Sequence, residues 1–257
     1  MSSVELAKIS HFSPVQHDPD DCVDTATVSG IPGAVFRPVH AAPYAIAVGV
    51  VELHQYAGLS GGHKAVAIGC GARKTIAAMH SRAMVTSPGV CIGQLQGNPF
   101  REAVDALGAR AGCKWALVYV PAVEQWLFGD PKAVLDEALV RMQPWEAISQ
   151  PVPGAILDVP ESKAGSLYQA SRAATYLALS PHPPIRPGGT IVVRARCPEG
   201  LGSESGFVSA LRNTKPPWAE LLHGDPPTGA GAQRAVMLAK LAERFQLVIE
   251  DCEQAPA

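Results

Sequence analysis

Residues 50–82 of the chain, VVELHQYAGLSGGHKAVAIGCGARKTIAAMHSR, contain the three local patterns that decide the fold class. An apolar, β-branched run ends at His54, a glycine-rich turn follows, and a segment of helical period extends as far as His80. The order strand, turn, helix is typical of α/β proteins, which bind ligands outside the carboxyl ends of their strands. We therefore expect the polar side chains of this stretch to line a binding site.

The same alternation of apolar strands and helix-period segments continues along the chain. Strands are predicted at 44–53, 115–120, 155–159 and 190–195, and helices at 73–80, 101–111, 131–142, 165–177 and 232–245. Pro99 and Pro131 stand where two of these helices open, a position that tolerates proline because its N–H would have no partner inside the helix. The predicted fold class is α/β, with two α/β lobes, mostly parallel sheets and an active site in the cleft between the lobes.

Residues 143–154, QPWEAISQPVPG, are predicted to link the two lobes, because three prolines and a glycine interrupt any regular element there. This boundary gives a front lobe at 1–148 and a C-terminal lobe at 149–257. The stretches 181–189 and 226–231 are rich in proline and glycine and are predicted to be surface loops.

The composition argues against several classes of protein. The chain has 257 residues, a formal net charge of −2 and no long basic run, so we expect no nucleic-acid partner. No stretch approaches the roughly 20 apolar residues that cross a bilayer, so we expect no membrane partner. The six cysteines are scattered without a C-x-x-C pair, as in reduced cytosolic proteins, and the predicted location is cytoplasmic.

The glycine-rich turn does not match the phosphate loop of nucleoside triphosphatases. That loop requires G-x-x-x-x-G-K followed by Ser or Thr, because the lysine reaches the phosphates and the hydroxyl binds Mg²⁺. In this chain His63 separates Gly62 from Lys64, and Ala65 stands where the hydroxyl is needed. The glycines remain compatible with close approach of the backbone to another phosphorylated ligand.

The stretch resembles a block of the nickel-dependent lactate racemase family. Members of this family carry a histidine, then an Ala-Gly-x-Ser-Gly-Gly-x-Lys run, then a helix that ends in a second histidine. The matching residues in this chain are His54, Ala57, Gly58, Ser60, Gly61, Gly62, Lys64 and His80. Further similarity lies at 96–102 and 167–172, so the resemblance extends over roughly residues 17–212.

This resemblance implies a nickel-pincer nucleotide, Ni(II) pyridinium-3,5-bisthiocarboxylic acid mononucleotide, as the cofactor. By resemblance Lys64 forms the covalent link to the nucleotide, and His80 is the protein ligand to nickel, a metal that suits imidazole together with soft sulfur in a square-planar field. The resemblance also assigns Ser60, Gly61 and Gly62 to the cofactor-binding turn, which makes the front lobe the cofactor-binding lobe.

The implied activity is racemisation or epimerisation of a 2-hydroxy acid such as lactate. The hydrogen on C2 leaves as hydride to the electrophilic cofactor, while a general base takes the hydroxyl proton. The resemblance gives that acid/base role to His54, and histidine suits it because its pKa is near neutrality. It gives substrate contacts to Tyr168, Gln169 and Arg172 of the C-terminal lobe, and a guanidinium can hold a carboxylate with two hydrogen bonds.

The chain departs from the family pattern at several positions. His63 stands where an arginine is usual beside the cofactor lysine, and Arg101 stands where a histidine is usual. Family members also carry a longer front segment that supplies a second catalytic histidine, and we expect this chain to be a short form without it. The candidates for its replacement are His11, His17, His40 and His63.

Three hypotheses about function follow. The first is an isomerase that acts on a small 2-hydroxy acid. The second is a subunit that binds the nickel-pincer nucleotide and needs a partner protein to supply the absent front segment. The third is an α/β protein that retains the fold without the chemistry. A covalent adduct on Lys64 separates the first two from the third, and activity of the isolated chain separates the first from the second.

Overall fold

The computed structural model describes residues 13–142 and 150–252. In these ranges the strands are β1 (Cys22–Asp24), β2 (Ala34–Phe36), β3 (Ala45–Val50), β4 (Leu53–His54), β5 (Gly58–Leu59), β6 (Cys113–Val120), β7 (Gln125–Gly129), β8 (Val152–Asp158), β9 (Ile185–Arg194) and β10 (Gln246–Glu250). The α-helices are α1 (Arg37–Ala41), α2 (His63–Ala67), α3 (Arg73–Met79), α4 (Arg82–Val85), α5 (Pro99–Arg110), α6 (Pro131–Met142), α7 (Leu167–Ala178), α8 (Ser205–Asn213), α9 (Glu220–His223) and α10 (Ala232–Ala242). Short 3-10 turns lie at Pro121–Val123 and Glu161–Lys163.

Two three-stranded sheets organise the described chain. The front sheet has the order β3-β6-β7, with β3 parallel and β7 antiparallel to β6, and the second sheet has the order β10-β9-β8 with all strands parallel. Parallel neighbours need crossover connections, which the helices between β3 and β6, between β8 and β9, and between β9 and β10 provide. The predicted α/β class is confirmed, and the pairing in these sheets is parallel except at the β6–β7 hairpin.

The front sheet buries one of its faces. Ala47, Ala116 and Val118 are at most 4% exposed and belong to one apolar cluster with Val66 of α2 and Leu135 of α6. Alternate residues of a strand point to opposite faces, so the residues between these project away from the helices.

The opposite side of the front sheet is an apolar outer face, formed by Ile46, Val48, Val50, Trp115, Trp126 and Phe128. Val48 is 61% exposed and Phe128 is 64% exposed. The strand register places Val48 beside Leu117 and Leu117 beside Phe128, so the side chains form continuous rows across the three strands. Contiguous apolar surface of this kind commonly marks an interaction site.

The second sheet lies at the centre of the C-terminal lobe. Ile191 and Val193 of the middle strand β9 are buried in a core that includes Ala174 of α7, Phe207 of α8 and Leu238 of α10. These helices cover the sheet and fix the position of α7, which carries the predicted substrate residues.

Helix α10 contributes to the cores of both lobes. Leu238 lies in the core of the C-terminal lobe, whereas Val236 and Met237 belong to a cluster with Met79 and Phe100 of the front lobe. Buried side chains surround most of this helix, as expected for a helix enclosed on all sides. Side chains of α10 are therefore positioned between the two lobes.

The strands and helices predicted from the apolar pattern are all present in the described ranges, with small shifts of their ends. The predicted strand at 44–53 is divided into β3 and β4. Elements that the pattern did not predict are β1, β2, β5, β7, β10, α1, α2, α4, α8 and α9. The loop predicted at 226–231 is confirmed. None of the helices described is both long enough and apolar enough to cross a bilayer.

The prediction of a linker at 143–154 is wrong for its last residues. Residues 143–149 lie outside the described residues, but β8 already begins at Val152 and includes Pro153. Proline is tolerated there because β8 is an edge strand and its pairing is irregular between Val152 and Gly154.

The loop predicted at 181–189 is also wrong in part, because β9 begins at Ile185. The pairing jumps from Val152↔Ile185 to Gly154↔Thr190, so residues 186–189 bulge out of the ladder. The proline and glycines of this stretch therefore mark a bulge inside a strand and not the end of the strand.

Candidate functional site

The turn after His54 is fixed by the start of α5. The Asn98 side chain donates to the carbonyl oxygens of Tyr56 at 2.8 Å and Gln94 at 2.9 Å, while its oxygen accepts from the first turn of α5. Gly58 has a φ of +73°, and a Cβ there would overlap the carbonyl of Gln94, so only glycine fits. The site therefore rests on a turn whose backbone has little freedom to move.

The residues predicted to form the cofactor-binding turn lie between β4 and α2. The Ser60 hydroxyl accepts from the backbone N–H of Glu52 at 2.8 Å and donates to the carbonyl of Val50 at 2.9 Å. Gly61 and Gly62 have φ values of +82° and +56°, and a Cβ on Gly62 would press on a leucine of α6. These contacts explain the residue types structurally, and the cofactor contacts of this turn stay a prediction.

His54 ends β4 and has a fixed tautomer. Its Nδ1 accepts from the backbone N–H groups of Tyr56 at 3.3 Å and Ala57 at 3.1 Å, so in the neutral ring the proton is on Nε2. Burial lowers the pKa of His54 well below its usual value, and the charges of Lys64 and His80 lower it further. The imidazole is therefore neutral near pH 7.

His80 follows α3 and has the opposite tautomer. Its Nδ1 lies 2.8 Å from the carbonyl oxygen of Ile76, which can only accept, so Nδ1 carries the proton and Nε2 keeps a lone pair. Burial lowers the pKa of His80 and the Ile76 hydrogen bond opposes this, while the charges of Lys64 and Arg234 lower the pKa further. A neutral imidazole with an unprotonated Nε2 is a form that binds metals.

Two aromatic rings bring these imidazoles into one pocket. The ring of Tyr56 lies 5.8 Å from that of His54 and 5.7 Å from that of His80, centroid to centroid. The ring of Phe100 lies 6.4 Å from that of His54 and 5.7 Å from that of His80. Both imidazoles therefore border the same apolar wall.

Lys64, on α2, completes this group. Its charge lowers the pKa of both His54 and His80. Burial lowers the pKa of Lys64 itself, and the charges of Arg101 and Arg172 lower it further. A lower pKa raises the fraction of neutral amine, the nucleophilic form. His54 and His80 thus share one aromatic wall, and the charge of Lys64 acts on both, while the roles of the three residues stay a prediction.

His63 and Arg101, the two residues that differ from the family pattern, both lie beside the carboxylate of Asp105. The Nδ1 atom of His63 lies 3.2 Å from Asp105 Oδ1, and the Nε atom of Arg101 lies 3.6 Å from the same oxygen. Arg101 is 2% exposed, and its three guanidinium nitrogens have no hydrogen-bond partner in the described part of the chain. Relative to the family pattern, the histidine and the arginine on the two sides of Asp105 have changed places. Arg101 retains N–H donors that can bind an anion.

Arg234 is a residue of the site that the motif search missed. It is 4% exposed, and its Nη1 donates to Gln55 Oε1 at 2.6 Å and to Thr175 Oγ1 at 3.0 Å. The signal available in the sequence was an arginine next to the apolar run 235–239 of a predicted helix, because an arginine is rarely buried without a binding or pairing role.

The predicted substrate residues Tyr168, Gln169 and Arg172 all lie on α7. Gln169 and Arg172 line a cavity of about 540 Å³, to which Leu53 of the front lobe and Tyr176 of the C-terminal lobe also contribute. The guanidinium carbon of Arg172 lies 5.6 Å from the centroid of the Tyr168 ring. The charge of Arg172 also lowers the pKa of Lys64.

The candidates for a second acid/base are separated in the structure. His17 packs edge-on against Phe36 at 5.4 Å, and His40 is exposed on α1. His63 is buried against Asp105, and His11 lies outside the described residues. None of the three described candidates packs against the aromatic wall that His54 and His80 share.

The front part of the chain matches a known family. Residues 5–93 match the family model of the lactate racemase N-terminal domain, a range that includes His54, Lys64 and His80. This part of the chain is therefore similar to the N-terminal domain of lactate racemases. No curated protein matches the chain in sequence.

Two solved structures have the same fold. The lactate racemase apoprotein from Thermoanaerobacterium thermosaccharolyticum matches with a TM-score of 0.80 at 20% identity, over 94% of this chain and 60% of that chain. A Thermotoga maritima protein solved by the Northeast Structural Genomics Consortium matches with a TM-score of 0.66 at 16% identity, over 99% of this chain and 73% of that chain. The chain thus has the lactate racemase fold, and it spans 60% of the length of that racemase.

The side chains present fit the nickel-pincer nucleotide that resemblance to the lactate racemases implies. His80 offers a neutral imidazole with a free Nε2, and Lys64 offers an amine of lowered pKa. Arg101 offers buried donors that lack partners in the described ranges and that could bind a phosphate. The chemistry required for metal ligation, covalent attachment and anion binding is therefore available in one region.

Proposed function

We propose that the protein is a racemase or epimerase of a 2-hydroxy acid that uses a nickel-pincer nucleotide held covalently by Lys64. The observation that carries this proposal is that His54 and His80 border one aromatic wall, with the charge of the buried Lys64 acting on both imidazoles. When bound, the nucleotide supplies an electrophilic centre that accepts hydride from C2 of the substrate and returns it.

Two residues of the chain would hold the nucleotide. The depressed pKa of Lys64 favours the neutral amine, the form that would condense with a thiocarboxylic acid group of the nucleotide to give a thioamide and release water. The hydrogen bond from His80 to Ile76 fixes the imidazole in the tautomer that directs its Nε2 lone pair to a metal. The aromatic rings of Tyr56 and Phe100 exclude water from the space beside both imidazoles.

His54 would handle the proton on the substrate oxygen. Its neutral ring carries a proton on Nε2, which can be donated in a hydrogen bond to the carbonyl oxygen of a 2-keto acid. To accept the hydroxyl proton at Nε2, the ring must first move its proton to Nδ1 and release the backbone N–H groups of Tyr56 and Ala57. Its depressed pKa favours return of the proton to the substrate.

Arg172 and Gln169 would orient the substrate. Both line the cavity between the lobes, and a guanidinium can hold a carboxylate through two parallel hydrogen bonds. The stacking of Arg172 on Tyr168 restricts its side chain, so less entropy is lost when the carboxylate binds.

Mass spectrometry and metal analysis test this proposal directly. The chain should be produced together with the enzymes that make the cofactor, and its intact mass and nickel content should then be measured. We expect a covalent mass increase and bound nickel, both lost in Lys64→Ala and both retained in the control Lys132→Ala, whose lysine is exposed on α6. Unchanged mass and nickel content in Lys64→Ala would contradict the proposal.

A second candidate is a nucleotide-binding subunit that acts only with a partner protein. The apolar outer face of the front sheet favours it, because such a surface suits a partner that supplies the front segment. We expect the isolated chain to bind the nucleotide without turnover in this case, and addition of a front-lobe protein to restore activity.

All six cysteines are free thiols, which supports the proposal of a cytoplasmic location.

A further inference from the structure

The guanidinium of Arg234 is buried without a counterion in the described ranges. Its hydrogen-bond partners are the neutral side chains of Gln55 and Thr175, and its Nε has none. Burial of an uncompensated charge is costly, and the guanidinium cannot avoid the cost by losing its proton. A residue of this kind is best explained by an anion that binds beside it.

The surroundings of Arg234 add to the positive charge. Arg172 and Arg234 both lie against the Tyr168 ring, with guanidinium carbons 5.6 Å and 6.0 Å from its centroid. Arg234 also lowers the pKa of both His54 and His80, which puts its charge close to the proposed reaction centre. The pocket therefore favours a ligand with more negative charge than one carboxylate carries.

The other cations of the pocket have partners assigned to them. Asp105 lies beside Arg101, and the proposed function joins Lys64 to the nucleotide and gives the substrate C1 carboxylate to Arg172. Arg234 is left without an anion if the substrate is a monocarboxylic acid. We infer that Arg234 is a second substrate-binding guanidinium and that the substrate is a 2-hydroxy acid with a second carboxylate on its side chain.

This inference rests on the proposed function for the identity of the 2-hydroxy acid, but binding can be measured without the cofactor. The full chain, produced without the nucleotide, should be titrated calorimetrically with malate and with lactate. These two acids share the 2-hydroxycarboxylate and differ in carrying a carboxymethyl or a methyl group. We expect malate to bind at least about tenfold more tightly, the factor that one charge-assisted hydrogen bond provides.

Variants of Arg234 attribute the difference to this residue. We expect Arg234→Gln to lower the affinity for malate more than the affinity for lactate, so that the preference for malate is lost, and Arg234→Lys to retain part of the preference. The control Arg212→Gln, an exposed arginine on α8, should behave as the wild type. If Arg234→Gln does not fold, the wild-type ratio and the reduced ratio in Arg234→Lys still decide the outcome.

Three results would overturn the inference. They are equal affinity of the wild type for malate and lactate, an equal loss of both affinities in Arg234→Gln, and binding of inorganic phosphate that displaces malate and disappears in Arg234→Gln. The last result would mean that Arg234 binds the phosphate of the nucleotide and not a second carboxylate. Failure of the proposed function can be told apart from failure of this inference. It would appear as an unchanged intact mass at Lys64, whatever the ratio of the malate and lactate affinities.

Discussion

Gly108 of α5 lies directly against the backbone of His63, so closely that a Cβ at position 108 would stand 2.6 Å from the His63 Cβ and 2.8 Å from its carbonyl oxygen. Lys64 is the next residue, so this contact sets the position of the proposed cofactor lysine. We expect Gly108→Ala to destabilise the fold by about 1–3 kcal/mol, because α2 must move and this outweighs the better helix propensity of alanine. Urea unfolding measures the change.

Gly49 of β3 is the matched control for this substitution. A Cβ there would meet no atom within 4 Å. Gly49→Ala should therefore leave the free energy of unfolding within about 0.5 kcal/mol of the wild type. Equal stability of Gly108→Ala and Gly49→Ala would show that the contact between α5 and α2 is looser than the structure indicates.

The two faces of the front sheet should respond differently to truncation. Val118 is fully buried whereas Val48 is 61% exposed, and both lie in neighbouring strands of one sheet. We expect Val118→Ala to cost about 2 kcal/mol through the cavity it leaves, and Val48→Ala to cost less than about 0.5 kcal/mol. Urea midpoints of the two variants test this, and a large loss in Val48→Ala would mean that this face is covered in solution.

The Asn98 side chain should be needed for both stability and cofactor attachment. Asn98→Ala removes the cap of α5 and leaves the buried carbonyls of Tyr56 and Gln94 without their donor, a loss of about 2–4 kcal/mol. We expect a lower melting temperature together with a reduced mass adduct on Lys64. Asn213→Ala, at an exposed asparagine that ends α8, is the control and should change neither quantity.

The buried histidines predict a dependence of stability on pH in the metal-free protein. Burial, with the charges of neighbouring cations, lowers the pKa of His54 and of His80 below the unfolded value of 6.5. Below pH 6.5 the unfolded chain binds protons that the folded chain does not, so stability is complete above this pH and is lost as the pH falls toward the folded-state pKa values. Each histidine contributes a slope of up to about 1.4 kcal/mol per pH unit.

Urea unfolding at about pH 7.5 and about pH 5.5 measures this slope. We expect His54→Gln to show a smaller difference between the two conditions than the wild type. Val118→Ala, which lowers stability without removing a titrating group, should keep the full difference. A wild-type slope in His54→Gln would mean that His54 is protonated in the folded protein.

The sequence predicted most of the longer strands and helices because their signals are local. The apolar runs of β6 and β9 and the proline at the start of α5 are each legible within a few residues. β7 was missed because it is a short hairpin partner, and the start of β9 was misjudged because a bulge has the same proline and glycine residues as a loop. Both β7 and the start of β9 depend on pairing between strands, which a local sequence pattern does not show.

The candidate site also has residues that local sequence patterns reveal and residues that only distant contacts reveal. His54, Lys64 and His80 could be found from sequence because they lie within one stretch of recognisable spacing. Arg234 could not, since its role arises from a contact with Gln55, 179 residues earlier in the chain. In the sequence, His63 and Arg101 were two separate differences from the family pattern. The structure relates them, because both side chains lie beside Asp105.

Helix α10 has a consequence for how the protein is made. It follows nearly every other described element in the chain, yet it supplies Arg234 to the pocket and Met237 to the core beneath His80. A ribosome releases the glycine-rich turn and Lys64 long before this helix. If the protein takes the proposed nucleotide, loading during translation would meet an open cavity until helix α10 has been made.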